Sequence, residues 1–295
     1  AFGAHTPKAE VMAFDKDLLT GKLLSYLYPQ HKVRAEGFER IERPFTNYFD
    51  VAASNIPFGN VAVFDAEYSR SKEYGRRSAT KAIHNYFFLK GLDAVRDGGI
   101  VAFITSQGVL DGRDNFAMRT QMLKQADLVS AVRLPSNLFT DSANTEVGSD
   151  LIVLQKNVKK QGLTPEDHLL ASTQEWQDSG IVTNSYLSSH PERIIRTQEA
   201  VDTNIYGKPA LVYTHEGGVP GIAADIRKIL SEDFAKRLNL KLYNGTEAQD
   251  TGQTVQHPTR PSVREPVKSV PAPQPEPVAE ALHEQPVPEV TPEPQ

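Results

Sequence analysis

Phe49-Asp50-Val51-Ala52-Ala53-Ser54-Asn55-Ile56-Pro57-Phe58-Gly59 is the stretch on which the fold turns. Its first five residues, FDVAA, read as a short β-strand, and the strand runs straight into Asn-Ile-Pro-Phe-Gly. Pro57 has no N–H to donate and a fixed φ, so pairing stops there and a rigid loop begins. In an open α/β sheet, ligands collect outside the carboxyl ends of the strands. A strand followed by this loop therefore sets Asn55 to Phe58 at the rim of such a crevice, provided the flanking sequence builds the sheet.

The flanks have the required alternation. Downstream, Lys81–Arg96 is apolar on most sides (Ile83, Phe87, Phe88, Leu92, Val95), which predicts a buried helix closed by Gly98-Gly99. Ile100–Thr105 (IVAFIT) is a continuous apolar run and predicts a fully buried strand. A helix over Asn115–Gln125 and strands over Leu128–Leu134 and Asp150–Gln155 follow. Upstream, Glu10–Asp15 reads as a strand ending on an acid. Asp17 is placed to cap a helix running to Tyr28, with Leu19, Leu23 and Leu27 as its buried stripe, and a short strand falls at Lys32–Ala35. Strands alternating with helices imply an α/β layer fold over residues 1–160.

After Lys160 the pattern weakens. Residues 161–245 read as a small appended α+β subdomain with turns at His190-Pro191 and Gly217-Gly218 and a helix near Ile222–Leu238. From His257 onward eleven prolines stand among Glu, Gln, Val and Ala without an aromatic residue, so residues 246–295 are expected to form a disordered, partly polyproline-II tail. That tail carries eight acids and three bases, which accounts for the whole net charge of −5 and leaves a neutral body. A neutral body is compatible with nucleic acid, because phosphate contacts need only a local basic strip. One such strip lies in the loop after the central stretch, where Arg70, Lys72, Arg76, Arg77 and Lys81 alternate with Tyr68 and Tyr74; a solvated loop is an equal reading, since Asp65, Glu67 and Glu73 dilute it.

Composition removes several classes. With no cysteine there is no disulfide, thiol nucleophile or Cys-ligated metal, and the eight histidines show no metal-ligand spacing, so no metal is expected. No apolar run approaches the ~18 residues of a spanning helix. The opening AFGAHTPKAE lacks a signal-peptide pattern, so the expected location is cytoplasmic and the Asn244-Gly245-Thr246 sequon has no bearing. His84, on the apolar helix, is read as a core histidine with one hydrogen bond rather than a proton shuttle.

The chemistry of Asn-Ile-Pro-Phe is that of an amino-group holder. The Asn55 amide oxygen and the Ile56 carbonyl are two acceptors that can converge on the two N–H bonds of an exocyclic amine, and Phe58 supplies a flat face for stacking. The same four residues also serve as a plain strand-to-loop turn.

From Glu10 to Lys156 the sequence resembles the S-adenosylmethionine-dependent amino-methyltransferases that act on adenine N6 of DNA and carry an Asn-Pro-Pro-Tyr/Phe motif. Within that family it is similar to the methylase domains of large mobile-element proteins and of type I modification subunits. Several segments carry the resemblance in order: Asp15 in AFDKD, Phe38 in EGFERI, Asn55-Ile56-Pro57-Phe58, the segment KAIHNYFFLKGLDAVRDGGIVAFIT, and LVSAVRLPSNLF with SDLIVLQK. The resemblance implies a Rossmann-like class I methyltransferase sheet, S-adenosylmethionine as cofactor and DNA as partner, with a restriction, specificity or helicase component on the same or another chain. Residue by residue, it implies that Asp15 binds the cofactor ribose, Phe38 packs on its adenine and Asn55 also touches the cofactor; that Asn55-Ile56-Pro57-Phe58 is the catalytic motif, in which Asn55 and Ile56 hold the target amino group; and that Phe58 and Phe139 cover a flipped base. Ile56 stands where the family has a first proline. Gly37 stands where it often has an acid, which leaves Glu36 or Glu39 to read the cofactor amino group. The family's first strand and glycine-rich loop belong before Glu10, where only AFGAHTPKA stands, so the expectation is either a fragment that starts just past that loop, with Ala1-Phe2-Gly3 as its remnant, or a domain that has lost the loop. Two alternatives remain: a non-catalytic methylase-fold module that binds DNA or acts as a scaffold, and an amino-methyltransferase acting on RNA or protein glutamine.

Overall fold

A computed structural model describes residues 8–41, 43–140, 144–203, 207 and 209–246. In chain order its elements are β1 (Met12–Phe14), α1 (Leu18–Leu27), β2 (Lys32–Arg34), β3 (Phe49–Asn55), α2 (Ala66–Ser69), α3 (Tyr74–Ala79), α4 (Ile83–Ala94), β4 (Val95–Ser106), α5 (Gly108–Asp111) and α6 (Phe116–Leu123). They continue with β5 (Ala126–Leu134), β6 (Ser149–Lys156), α7 (Pro165–Ala171), β7 (Thr173–Glu175), β8 (Val182–Asn184), α8 (Ser185–Ser189), β9 (Gln198–Thr203), β10 (Pro209–Thr214), α9 (Gly218–Arg237) and α10 (Leu240–Tyr243). The segments expected to be a disordered tail and a loop remnant, residues 247–295 and Ala1-Phe2-Gly3, lie outside the described residues.

The fold is mixed α/β around a central sheet of order β3-β4-β6-β5. β3 runs parallel to β4, with Asn55 opposite Ile104, and β6 pairs antiparallel with both β4 and β5. Its core holds Phe88, Leu89 and Leu92 of α4 against Val101 and Phe103 of β4, Met118 and Met122 of α6, and Ile152 and Leu154 of β6. Leu170, Ala171, Tyr186 and Leu187, from beyond residue 160, join the same cluster. Ile222 of α9 packs on Val132 and Leu134 of β5 in a second cluster.

β4 is twice as long as the apolar run suggests. The helix stops at Ala94, and Gly98-Gly99, read as its close, lies inside the strand. The β3–β4 register shifts between Phe49 and Val51, and Gly98 sits at φ +74° beside the Leu242 carbonyl, only 2.3 Å from where a Cβ would be. Only glycine both takes that conformation and admits α10 so closely, so the pair serves a bulge and a docking point. Lys156, at the end of β6, donates to the Leu92 and Val95 carbonyls at 2.6 and 2.9 Å and so satisfies the C-terminal end of α4.

The N-terminal part departs further from expectation. Asp17 caps α1 as its sequence predicts, accepting from Thr20 N–H at 2.7 Å. The stripe of Leu19, Leu23 and Leu27, expected to be buried, is 77%, 56% and 60% exposed. α1 instead seats through Gly21, whose α-carbon faces Ala35 so closely that a Cβ would come within 2.7 Å of it. β1 and β2 form their own parallel pair, separate from the central sheet, and two short strands offer too little surface to cover a helix face. No helix among the described residues is long and apolar enough to cross a membrane.

Candidate active site

Asn55 is the last residue of β3 and is exposed at its carboxyl end. The ladder holds one residue further: Ile56 N–H donates to the Ile104 carbonyl at 3.0 Å. The Ile56 side chain is buried in the main core, at 2% exposure. An apolar anchor thus fixes the position where the family has a proline, and the loop leaves the sheet between an exposed Asn55 and an exposed Pro57. Gly59, at φ +148°, makes the next turn and donates its N–H to His84 Nδ1 at 3.3 Å. This is the single hydrogen bond expected of a core histidine.

Phe58 and Phe139 meet. Their ring centroids are 6.5 Å apart at 75°, an edge-to-face contact in which the rings touch each other. Phe139 ends a short 3-10 turn, Ser136–Phe139. Asn137 in that turn pairs with the backbone of His215, donating to its carbonyl and accepting from its N–H, both at 3.1 Å. The chain just past β10 thereby holds the turn that presents Phe139.

Beside Phe58 opens a cavity of about 700 Å³ whose walls include Gly59, His84, Asp111, Arg133 and Leu211. Arg133 is buried between two carboxylates, 2.7 Å from Asp150 and 2.8 Å from Asp111, and both hold its guanidinium charged. Burial pushes the Asp150 carboxyl up, to about 6, against the pull of Arg133. Burial pushes His84 down, to about 4, so its imidazole is neutral near pH 7. The wall from β9 and β10 and the Asp111–Arg133–Asp150 cluster were missed in the sequence; the available signal was a charge inside the otherwise apolar strands LVSAVRL and SDLIVLQK.

Asp15 and Phe38 stand apart from that cavity. Asp15 follows β1, half-buried, and one carboxylate oxygen accepts from Asp17 N–H at 2.8 Å. Phe38 lies between Phe14 and Phe87, with ring centroids at 6.1 and 5.1 Å, and so ties the β1–β2 pair to α4. The donor set suits a ribose-bearing cofactor: a carboxylate has acceptor capacity beyond one backbone bond, and Phe38 adds an apolar ring nearby. Glu36 pairs with Arg34 at 3.2 Å and Glu39 with Lys16 at 3.7 Å.

The basic strip is divided. Arg70 and Lys72 are exposed. Arg76 is held by Asp93, at 2.8 Å, over the face of Tyr68, and Arg77 donates to the Ser71 and Lys72 carbonyls at 2.6 and 2.9 Å. Two of the five basic side chains in that strip, Arg76 and Arg77, therefore already bond within the chain.

The sequence profile of the N-6 DNA Methylase family matches residues 25–251. The defense against restriction protein B of Escherichia phage P1 is 26% identical over 161 residues, which is 53% of this chain and 7% of that protein. Among solved structures, a modification subunit of a putative type I restriction enzyme from Vibrio vulnificus YJ016 has a TM-score of 0.41 at 14% identity, covering 69% of this chain and 46% of that one. A putative class I S-adenosylmethionine-dependent methyltransferase from Listeria monocytogenes has a TM-score of 0.36 at 16% identity, covering 56% and 59%. The chain spans less than two thirds of each of these proteins.

Proposed function

Because the chain belongs to the N-6 DNA Methylase family, we propose that it transfers a methyl group from S-adenosylmethionine to the N6 amino group of adenine in DNA. The observation that carries this reading is the anchored Ile56, which presents Asn55 and Pro57-Phe58 together at the carboxyl end of a strand in the central sheet. S-adenosylmethionine supplies the methyl group. Asp15 binds the ribose hydroxyls and Phe38 packs on the cofactor's adenine.

The Asn55 amide oxygen and the Ile56 carbonyl accept the two N6 hydrogens of a flipped adenine and so keep the nitrogen lone pair directed at the methyl group. Phe139 turns away from its contact with Phe58, and the base lies between the two rings. The step is a displacement that depends on orientation: the N6–methyl bond would form as the sulfur–methyl bond breaks to leave a neutral thioether, and one N6 proton would pass to solvent water. Residues 1–160 act as the catalytic domain and 161–245 as an appended region bordering the cavity; Arg70 and Lys72, with a weaker part for Arg76 and Arg77, meet the DNA backbone. We place this chemistry in the cytoplasm, alongside a restriction, specificity or helicase component on the same or another chain.

The test is labelled-methyl transfer offered in parallel to duplex DNA, RNA and a glutamine-bearing protein, followed by nucleoside analysis. N6-methyladenine in DNA alone supports the reading; label in RNA or protein alone overturns it.

A further inference from the structure

His84 lies in the first turn of α4 and is 3% exposed. Its Nδ1 accepts the Gly59 N–H, which fixes the proton on Nε2. Among the described residues that Nε2 is buried without a partner. A desolvated donor with nothing to bond makes histidine a poorer core residue than an apolar side chain of similar size. Stability therefore does not account for the imidazole. What it does here that leucine or phenylalanine cannot is accept the N–H of Gly59.

That bond closes one end of a bracket. Ile56 N–H is fixed to the Ile104 carbonyl at 3.0 Å, Gly59 N–H is fixed to His84, and Pro57-Phe58 is suspended between the two. Pro57 is already restricted in φ, so fixing Gly59 leaves Phe58 little freedom to rotate about its backbone. His84, Phe58 and Gly59 border the same cavity. We propose that His84 is a positioning residue for the Asn55–Phe58 loop, its Nδ1 holding the Gly59 amide so that Phe58 and the Ile56 carbonyl keep a fixed orientation toward the bound base. The proposal rests on the reading of this loop as the methyl-transfer site, and one of its two readouts is independent of that reading.

The test uses the full chain with His84→Leu, which removes the acceptor, His84→Asn, whose amide oxygen falls near the place of Nδ1, and His84→Gln, whose amide falls near Nε2. Two quantities are measured: methyl transfer to DNA, separated into kcat and KM, and hydrogen exchange at the Gly59 amide. In His84→Leu and His84→Gln, Gly59 exchange rises and kcat falls, each by about tenfold or more, while KM for DNA and for S-adenosylmethionine stays within about twofold. His84→Asn restores Gly59 protection and most of kcat. A His84→Leu chain with wild-type kcat and Gly59 protection overturns the proposal, as does a His84→Asn chain that protects Gly59 yet stays as slow as His84→Leu. If the wild-type chain itself transfers no methyl group, the methyl-transfer reading fails, and Gly59 exchange alone decides whether His84 holds the loop.

Discussion

The two ends of the site rest on very different foundations. The β3-β4-β6-β5 sheet with α4 and α6 encloses a continuous core, and it delivers Asn55 on a strand whose next residue is itself part of that core. The β1-α1-β2 unit carries Asp15 just past a three-residue strand that, among the described residues, pairs only with β2, beside a helix whose Leu18, Leu19, Leu23 and Leu27 face solvent. The residues proposed to hold the target are thus set by packing, whereas those proposed to hold the cofactor are set by local hydrogen bonds and the Phe14–Phe38–Phe87 contacts. Under the proposed reading, the precision needed for transfer sits in the packed half and the other half is a looser frame.

Breaking the packed half has the largest expected effect on stability. Arg133→Ala leaves Asp111 and Asp150 facing each other without their shared cation, and a loss of about 3–5 kcal/mol is expected by urea denaturation. A change within about 1 kcal/mol would show the cluster to be dispensable.

The next effect is on pH. His84 is held at about 4 when folded, against 6.5 for the free side chain, so above pH 6.5 both states are neutral and its contribution is complete. As pH falls from 6.5 toward 4 the unfolded chain takes up a proton that the folded chain refuses, and stability drops, by about 3 kcal/mol in all. Denaturation midpoints of wild type and His84→Leu should diverge across that window and run parallel below it.

In the looser half the effects shrink. Asp15→Ala is expected to weaken S-adenosylmethionine binding by about tenfold in a calorimetric titration, with the melting temperature unchanged. Undiminished affinity would remove Asp15 from the cofactor site. Leu23→Glu, at a 56% exposed position, is expected to change stability by less than about 0.5 kcal/mol. A large loss there would mean that α1 is covered in solution and would bring the two halves closer in kind.

The same contrast decides what was legible beforehand. Where apolar runs are continuous, as in IVAFIT and the α4 segment, strand and helix follow from burial alone, and the strand leading into Asn-Ile-Pro-Phe is visible because proline must end it. Asp17 was legible as a cap because capping is local. The leucine stripe of α1 misleads, since periodicity reports which face is apolar and not whether a partner surface exists. Gly98-Gly99 misleads for a related reason: glycine marks an unusual backbone or a close approach, and only the Leu242 contact tells which. The Asn137–His215 pairing joins residues 78 apart in sequence, and the β9–β10 wall borders the same cavity as Phe58 and Asp111, long-range contacts that no local pattern encodes.

Whether Asn55 holds the adenine amino group is decided by single-turnover methyl transfer to duplex DNA with Asn55→Ala, with DNA and cofactor affinities measured on the same protein. Asn55 is exposed at a strand end, so folding and DNA affinity should survive while transfer at saturating cofactor falls by about a hundredfold or more. Transfer at the wild-type rate would contradict the account.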